Sequence, residues 1–416
     1  MIKSIIQESN TGTKIVLTCL LLLVMSLFAP LKFTGLGIIV LAIAWFFSSS
    51  FTTKIVHFKT NYFQYLFFAL YAWYILGLLY TQNLSYGGSL IETMLSIFAF
   101  PLIFSSLATF RINVVTFILN FFVYCACLIS IFCVGKACFN YASCADIDLL
   151  YYHKLAKNVD FSAIYLSLYI AMAYLIVLLQ WLPAAIVGSL KSKIVSFALL
   201  GFFFLFLILL SSKMIIACIT ALTMILVFIR ILPHKASLTS ILIAIAILMG
   251  VMLMVANLKV TRQRFQNVEL KAFKYTDVDV NGLTGRIAMW TCAKDVIKNN
   301  FWLGVGTGDI DDELIAEYHK KDFRVGYFWK YNAHNQYIQT FLGQGFVGFC
   351  LLMALFIIPF IYGCRKRDYL YLSFCVLFFS LCITETTFTN VKGVCFFAFF
   401  NSFFIFQGFL KNRPLN

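Results

Sequence analysis

Charge is scarce in this 416-residue chain: Asp, Glu, Lys and Arg together make up 12% of it, and only 17 residues are acidic. A soluble domain carries about a quarter of its residues as charges, so a soluble globular fold is excluded. No Cys/His spacing resembles a metal site. The glycine turn FWLGVGTGD (301–309) is not followed by Gly-Lys-Ser/Thr, so it is not a nucleotide P-loop. No cleavable-looking signal peptide opens the chain, because the first apolar run, KIVLTCLLLLVMSLFAP (14–30), is followed at once by another and reads as a first span. Internal repeats and midplane charges, which mark many transporters, are missing. So is any base-stacking or phosphate-tracking pattern, which leaves nucleic acid out as a partner.

What is present is hydrocarbon. Hydrophobic residues make up 62% of the chain, in blocks of about 17 to 25 residues, the length that crosses about 30 Å of lipid as a helix. Twelve candidate spans lie near residues 14–30, 33–50, 62–81, 88–109, 113–135, 160–181, 195–211, 213–232, 237–257, 334–362, 369–386 and 391–410. The run 195–232 is divided at Ser211, Ser212 and Lys213, because one helix there would be about 57 Å long, too long for one crossing. With the N-terminus in the cytoplasm, the inner segments collect fourteen Lys and Arg against Glu8 and Asp368, while the long segment 258–333 holds twelve basic and ten acidic residues. The net charge of +15 is thus a topology signal, with both termini cytoplasmic. The expectation is an all-α polytopic membrane protein of about 12 transmembrane helices. It divides into an N-terminal bundle of about nine spans (1–257), a large, partly helical periplasmic loop (258–333), and about three C-terminal spans (334–416).

The loop has helical patterns. RIAMWTCAKDVIKNN (286–300) places Ile287, Trp290, Ala293 and Ile297 on one stripe, with Lys294 and Lys298 elsewhere. DIDDELIAEYHKK (309–321) has acids at its start and bases at its end, matching the helix dipole. Between them, FWLGVGTGD reads either as a helix stop or as a set of amides able to cradle a phosphate. CFNYASC places Cys138 and Cys144 in an outer loop, as free thiols or, on an oxidising side, as a disulfide.

The costly residues share one face. Glu92, Asp160, Lys213, His334, Glu385 and Lys392 all map to the outer ends of the expected spans. Ionisable groups in spans are functional candidates by default, and the plain alternative is interfacial snorkelling. One stretch, NAHNQYIQTFLGQGFVGF (332–349), joins a polar helix start to a run notched by Gly343, Gly345 and Gly348. Those glycines let a neighbouring helix or a lipid chain approach closely. Tyr327, Phe328, Trp329 and Tyr331 fit an interfacial aromatic belt or a sugar-stacking surface.

LTGRIAMW (283–290), WLGVGTGD (302–309) and AHNQYIQTFLGQGFVGF (333–349), with ITETTFTN (383–390) more weakly, resemble the O-antigen ligase and O-antigen polymerase family of bacterial membrane glycosyltransferases. The resemblance implies a GT-C-like, inverting, metal-independent enzyme without a cofactor, in the bacterial inner membrane, acting at the periplasmic face. Its donor would be a glycan on undecaprenyl pyrophosphate, and its acceptor lipid A–core or another lipid-linked glycan. His334 falls on the family's catalytic histidine and Arg286 on an arginine that binds the donor pyrophosphate. Where the family has Ser-Arg, this chain has Ser212-Lys213. Lysine keeps the charge and loses the bidentate fork. The chemistry agrees with the residues: a leaving pyrophosphate needs cations such as Arg286 and Lys213, and an acceptor hydroxyl needs a base that titrates near neutral pH, such as His334. Asn335 and the glutamines can bind sugar or fix His334, and Glu385 can orient it or bind sugar hydroxyls. Asp311 and Asp312 stand on different faces of a helix, a poor pair for joint metal ligation. A ligase is the leading expectation. Alternatives are a polymerase, a protein O-oligosaccharyltransferase, a lipid-linked glycan transporter and a non-catalytic scaffold.

Overall fold

The computed structural model describes residues 11–231 and 283–408. The first half contains α1 (Thr11–Ser26), α2 (Leu31–Ser48), α3 (Phe51–Lys59), α4 (Gln64–Leu76), α5 (Leu84–Thr93), α6 (Leu95–Ser106), α7 (Ile112–Cys144), α8 (Tyr152–Lys157), α9 (Ala163–Ile176), α10 (Leu182–Val187), α11 (Leu190–Leu210) and α12 (Lys213–Leu226). The second half contains α13 (Leu283–Asn299), α14 (Ile310–Lys320), α15 (Arg324–Phe328), α16 (Gln336–Arg365), α17 (Tyr369–Cys382) and α18 (Val391–Ser402). Among the described residues there is no strand.

Six helical stretches in those residues are long and apolar enough to cross a membrane, and the pair Phe51–Lys59 with Gln64–Tyr80, bent by 97°, qualifies together as a seventh. Four further apolar helices are shorter: Gly12–Ser26, Lys213–Ile229, Tyr369–Cys382 and Val391–Gln407. The expected span at 237–257 lies outside the described residues. The other expected apolar segments are helical, but twelve crossings is not a number that the helix lengths supply. The expected break holds: α11 stops at Ser211, whose φ of 51° is left-handed, and α12 restarts at Lys213.

The outer loop expected at CFNYASC is instead the last two turns of α7, a helix of 33 residues. Cys138 and Cys144 are exposed and free. Six residues apart on a helix, they differ by about 9 Å along the axis, beyond disulfide reach.

Two helices form the centre. Every residue of α18 after Val391 is buried, and in α9 only Ile164 is partly exposed. A helix that is apolar all round belongs inside a bundle. Around α18 the core is built of phenylalanine on phenylalanine, with Phe374, Phe378, Phe396, Phe397 and Phe400 at centroid distances of 4.7–6.4 Å, within the range where rings attract edge-on or offset.

Helices α13, α14 and α15 form a layer at one end of this bundle. α13 packs on α14 and α16, and α14 packs on α15 and α16. The layer is rooted by the segment between α13 and α14. Val305 N donates to Leu342 O at 2.9 Å and Gly306 N to Gly343 O at 3.0 Å, while Phe346 N donates back to Phe301 O at 2.8 Å. α16 opens to allow this. Gly345, at φ 62° and ψ −165°, interrupts the helix, and the loop supplies the bond that the interruption removes. Non-helical backbone within an apolar bundle needs such partners. A Cβ on Gly304 would lie 2.5 Å from Gly343 and Gly345 backbone atoms.

Candidate functional site

The start of α13, the start of α16 and the turn after α17 meet at this end. Arg286 is in the first turn of α13. Its Nη2 donates to Thr384 O at 3.3 Å and stands 3.6 Å from Glu385 Oε1. His334 Nδ1 stands 3.7 Å from Glu385 Oε2. One carboxylate therefore lies between a guanidinium and an imidazole. Its side chain is 13% exposed, against 30% for both partners, so the group is sheltered but open to one side. Arg286 Nε and His334 Nδ1 are buried with no hydrogen-bond partner among the described residues.

His334 is held in a conformation that L-residues seldom adopt, with φ at 43°. The left-handed region costs about 1–2 kcal/mol, so neighbours must enforce it. They do so through the backbone. Ala333 O accepts from Trp290 Nε1 at 2.9 Å, Ala333 N donates to Gln339 Oε1 at 3.1 Å, and His334 N donates to Asn332 Oδ1 at 3.0 Å. Asn335 is the N-cap of α16: its Oδ1 accepts from Ile338 N at 3.0 Å, and its Nδ2 donates to Ile383 O at 3.1 Å. Asn335 thus ties the histidine to the glutamate turn, and both ends of its amide are engaged.

Four of the five expected residues, Arg286, His334, Asn335 and Glu385, come together here. Lys213 heads α12, exposed, and α12 packs on α17, whose end leads into the Glu385 turn.

Several expected ligand groups have structural partners instead. The amides of FWLGVGTGD do not form an open cradle: Gly304 N, Val305 N, Gly306 N, Thr307 N and Gly308 N donate to Asn300 O, Leu342 O, Gly343 O, Gly77 O and Thr81 Oγ1 respectively. The glutamines after His334 face protein. Gln336 Oε1 accepts from Phe388 N at 2.7 Å, Gln339 bridges Ala333 and Asp311, and Gln344 Nε2 donates to Thr307 Oγ1 at 2.9 Å. Lys392 does not snorkel. Its ammonium is buried and bonds Leu27 O, Ala29 O and Thr34 Oγ1, closing the turn between α1 and α2. The expected stripe on α13 is rotated: Ala288, Met289, Cys292, Ala293 and Val296 are the buried face, with Ile287, Trp290 and Ile297 at its edges. Of the outer aromatics, Phe328 and Trp329 are largely exposed, Tyr327 stacks on His319 at 3.9 Å, and Tyr331 lies 5.7 Å from the His334 ring.

The sequence did not single out Trp290 or Tyr86 for the site, and it marked Gln339 only as one of the glutamines after His334. The signal for Gln339 was its placement. Gln336, Gln339, Thr340 and Gln344 lie on one face of an otherwise apolar helix, and all four are buried. Asp311 and Asp312 have separate partners, Tyr86 and Gln339 for the first and Asn83 for the second. Burial holds the Asp311 carboxyl above its ordinary value, with the bonds from Tyr86 and Gln339 offsetting only part of the rise.

No curated protein matches the chain in sequence. A family model described as O-antigen ligase matches residues 195–353, a segment that holds Lys213, Arg286, His334 and Asn335 and ends before Glu385. Over that segment the chain is similar to the O-antigen ligase family.

Proposed function

We propose that this membrane protein is an O-antigen ligase-type glycosyltransferase. It moves a glycan from undecaprenyl pyrophosphate to a lipid A–core hydroxyl, at the periplasmic face of the bacterial inner membrane. The observation that carries the reading is the convergence of Arg286 and His334 on Glu385. Glu385 beside Nδ1 favours a proton on that nitrogen and leaves Nε2 as the base, the logic of a nucleophile–base–orienter triad. Nε2 takes the proton of the acceptor hydroxyl. The acceptor oxygen then bonds to the anomeric carbon as the bond from that carbon to the pyrophosphate oxygen breaks, so the configuration inverts. The leaving pyrophosphate keeps the bonding electrons. Arg286 and Lys213 are the cations for that developing charge, and the proposed mechanism uses no metal. The excess of Lys and Arg in the short segments read as inner, which leaves 258–333 on the other side, supports the periplasmic orientation.

The test is deletion of the gene in its host, complemented with wild type or His334→Ala, with surface lipopolysaccharide run on a gel. The reading expects the ladder to vanish, undecaprenyl-linked long chains to accumulate, and only wild type to restore the ladder. Retention of single-repeat lipopolysaccharide would instead make the protein a polymerase. A normal ladder would send the search to other acceptors.

A further inference from the structure

Catalysis by His334 needs more than its ring; it needs the peptide before it to stay put. Both polar atoms of Ala333 are held by side chains from different helices, Trp290 of α13 at the carbonyl and Gln339 of α16 at the amide. The Gln339 amide has a direction. Its Oε1 accepts from Ala333 N, so its Nε2 points away and donates to Asp311 Oδ1 at 3.1 Å. A backbone N–H only donates, so Ala333 N fixes that orientation. Asp311 is in turn fixed by Tyr86, whose hydroxyl donates to Oδ2 at 2.7 Å. Asp311 is in α14 and Tyr86 in α5, so the chain joins the α13–α15 layer to the bundle. Asp309 and Asp312 secure the same joint: Asp309 accepts from Gln82 N and Asn83 N at 2.8–3.0 Å, and Asp312 from Asn83 Nδ2 at 2.8 Å.

We infer that Tyr86, Asp311 and Gln339 are positioning residues for His334: a directional chain of hydrogen bonds that sets the Ala333 peptide and thereby the left-handed histidine. This rests on the proposed role of His334 as the base. The chain reaches His334 only through backbone, so its loss displaces the imidazole without removing it. A displacement near 1 Å at a reacting group costs about 100-fold in rate.

The direction of the chain makes it testable by exchange of partners. Gln339→Glu keeps an acceptor for Ala333 N but sets a second carboxylate against Asp311. Adding Asp311→Asn restores a donor–acceptor pair, because the new amide donates to the carboxylate introduced at position 339 and still accepts from Tyr86. Gln339→Met removes both bonds at similar volume and adds no charge. Each full-length variant is purified in detergent and assayed with lipid-linked glycan extracted from the host and with lipid A–core. Amide exchange of the 332–335 segment is measured in parallel. The inference expects kcat to fall about 100-fold in Gln339→Glu and Gln339→Met, with KM for the lipid-linked glycan little changed. It expects faster exchange at 332–335 in both, and recovery of rate and protection in the Asp311→Asn/Gln339→Glu pair. Wild-type kcat in a folded Gln339→Met protein would overturn it. So would a double variant as slow as Gln339→Glu alone. A His334→Ala control at wild-type rate would sink the base assignment. The clamp would then stand or fall on amide exchange: faster at 332–335 in Gln339→Met supports it, and unchanged exchange overturns it.

Discussion

His334 Nδ1 stands 3.7 Å from Glu385 Oε2, although 51 residues separate the two in the chain. The gap is slightly too long for a hydrogen bond. Bonds of this kind often tighten only when substrate is bound. Glu385→Gln keeps the shape of the side chain and removes the charge that orients the ring and pairs with Arg286. The expected result is a loss of transfer of about 100-fold or more, as for other orienting carboxylates, in a protein that is still made and folded. Transfer by purified protein, normalised to its monodisperse fraction, checks this.

The donor cations make a second prediction. Arg286→Lys retains charge and loses the fork, so transfer should fall about tenfold, the size of one charge-assisted hydrogen bond. Lys213→Ala should raise KM for the lipid-linked donor, and Lys213→Arg should restore or improve it. A donor titration with each variant reads both effects.

Glycine substitutions should divide by position. Gly304→Ala and Gly345→Ala put a Cβ within 2.5 Å of backbone at positive φ, adding to a conformational cost of about 1–2 kcal/mol. Both should lower the melting temperature in detergent and detach the α13–α15 layer. Gly135→Ala meets nothing within 4 Å and lies inside α7, so it should be neutral or stabilising by about 0.5–1 kcal/mol.

Lys392 predicts a structural phenotype. Lys392→Met leaves Leu27 O, Ala29 O and Thr34 Oγ1 without their shared donor. Each bond to a charged donor contributes about 1.5–3 kcal/mol. Thermal stability should drop, while the folded fraction keeps its transfer rate. A rate loss at unchanged melting temperature would mean that Lys392 takes part in the reaction.

The sequence made the helices legible because runs of apolar residues have the right length, and it marked the α11–α12 break because Ser-Ser-Lys interrupts one. It did not reveal which helices are central. Lipid and protein core are equally apolar, so α18, buried on all sides, carries the same pattern as a lipid-facing helix. His334 and Glu385 stood out as costly charges near one face, and Arg286 stood out through the family resemblance. Their convergence did not, because it depends on three chain segments meeting. The glutamines and the glycine turn looked like ligand groups for a related reason. Polar atoms signal that a partner exists, but only the fold shows that the partners are Phe388, Asp311, Thr307 and the opened backbone of α16.

The most direct test of the central claim is transfer by purified protein from lipid-linked glycan to lipid A–core, comparing wild type with His334→Ala at matched folded concentration. The account predicts ladder product from wild type, with the new glycosidic bond inverted relative to the donor, and none from His334→Ala, whose melting temperature stays unchanged. Product formation by a folded His334→Ala protein at the wild-type rate would contradict it.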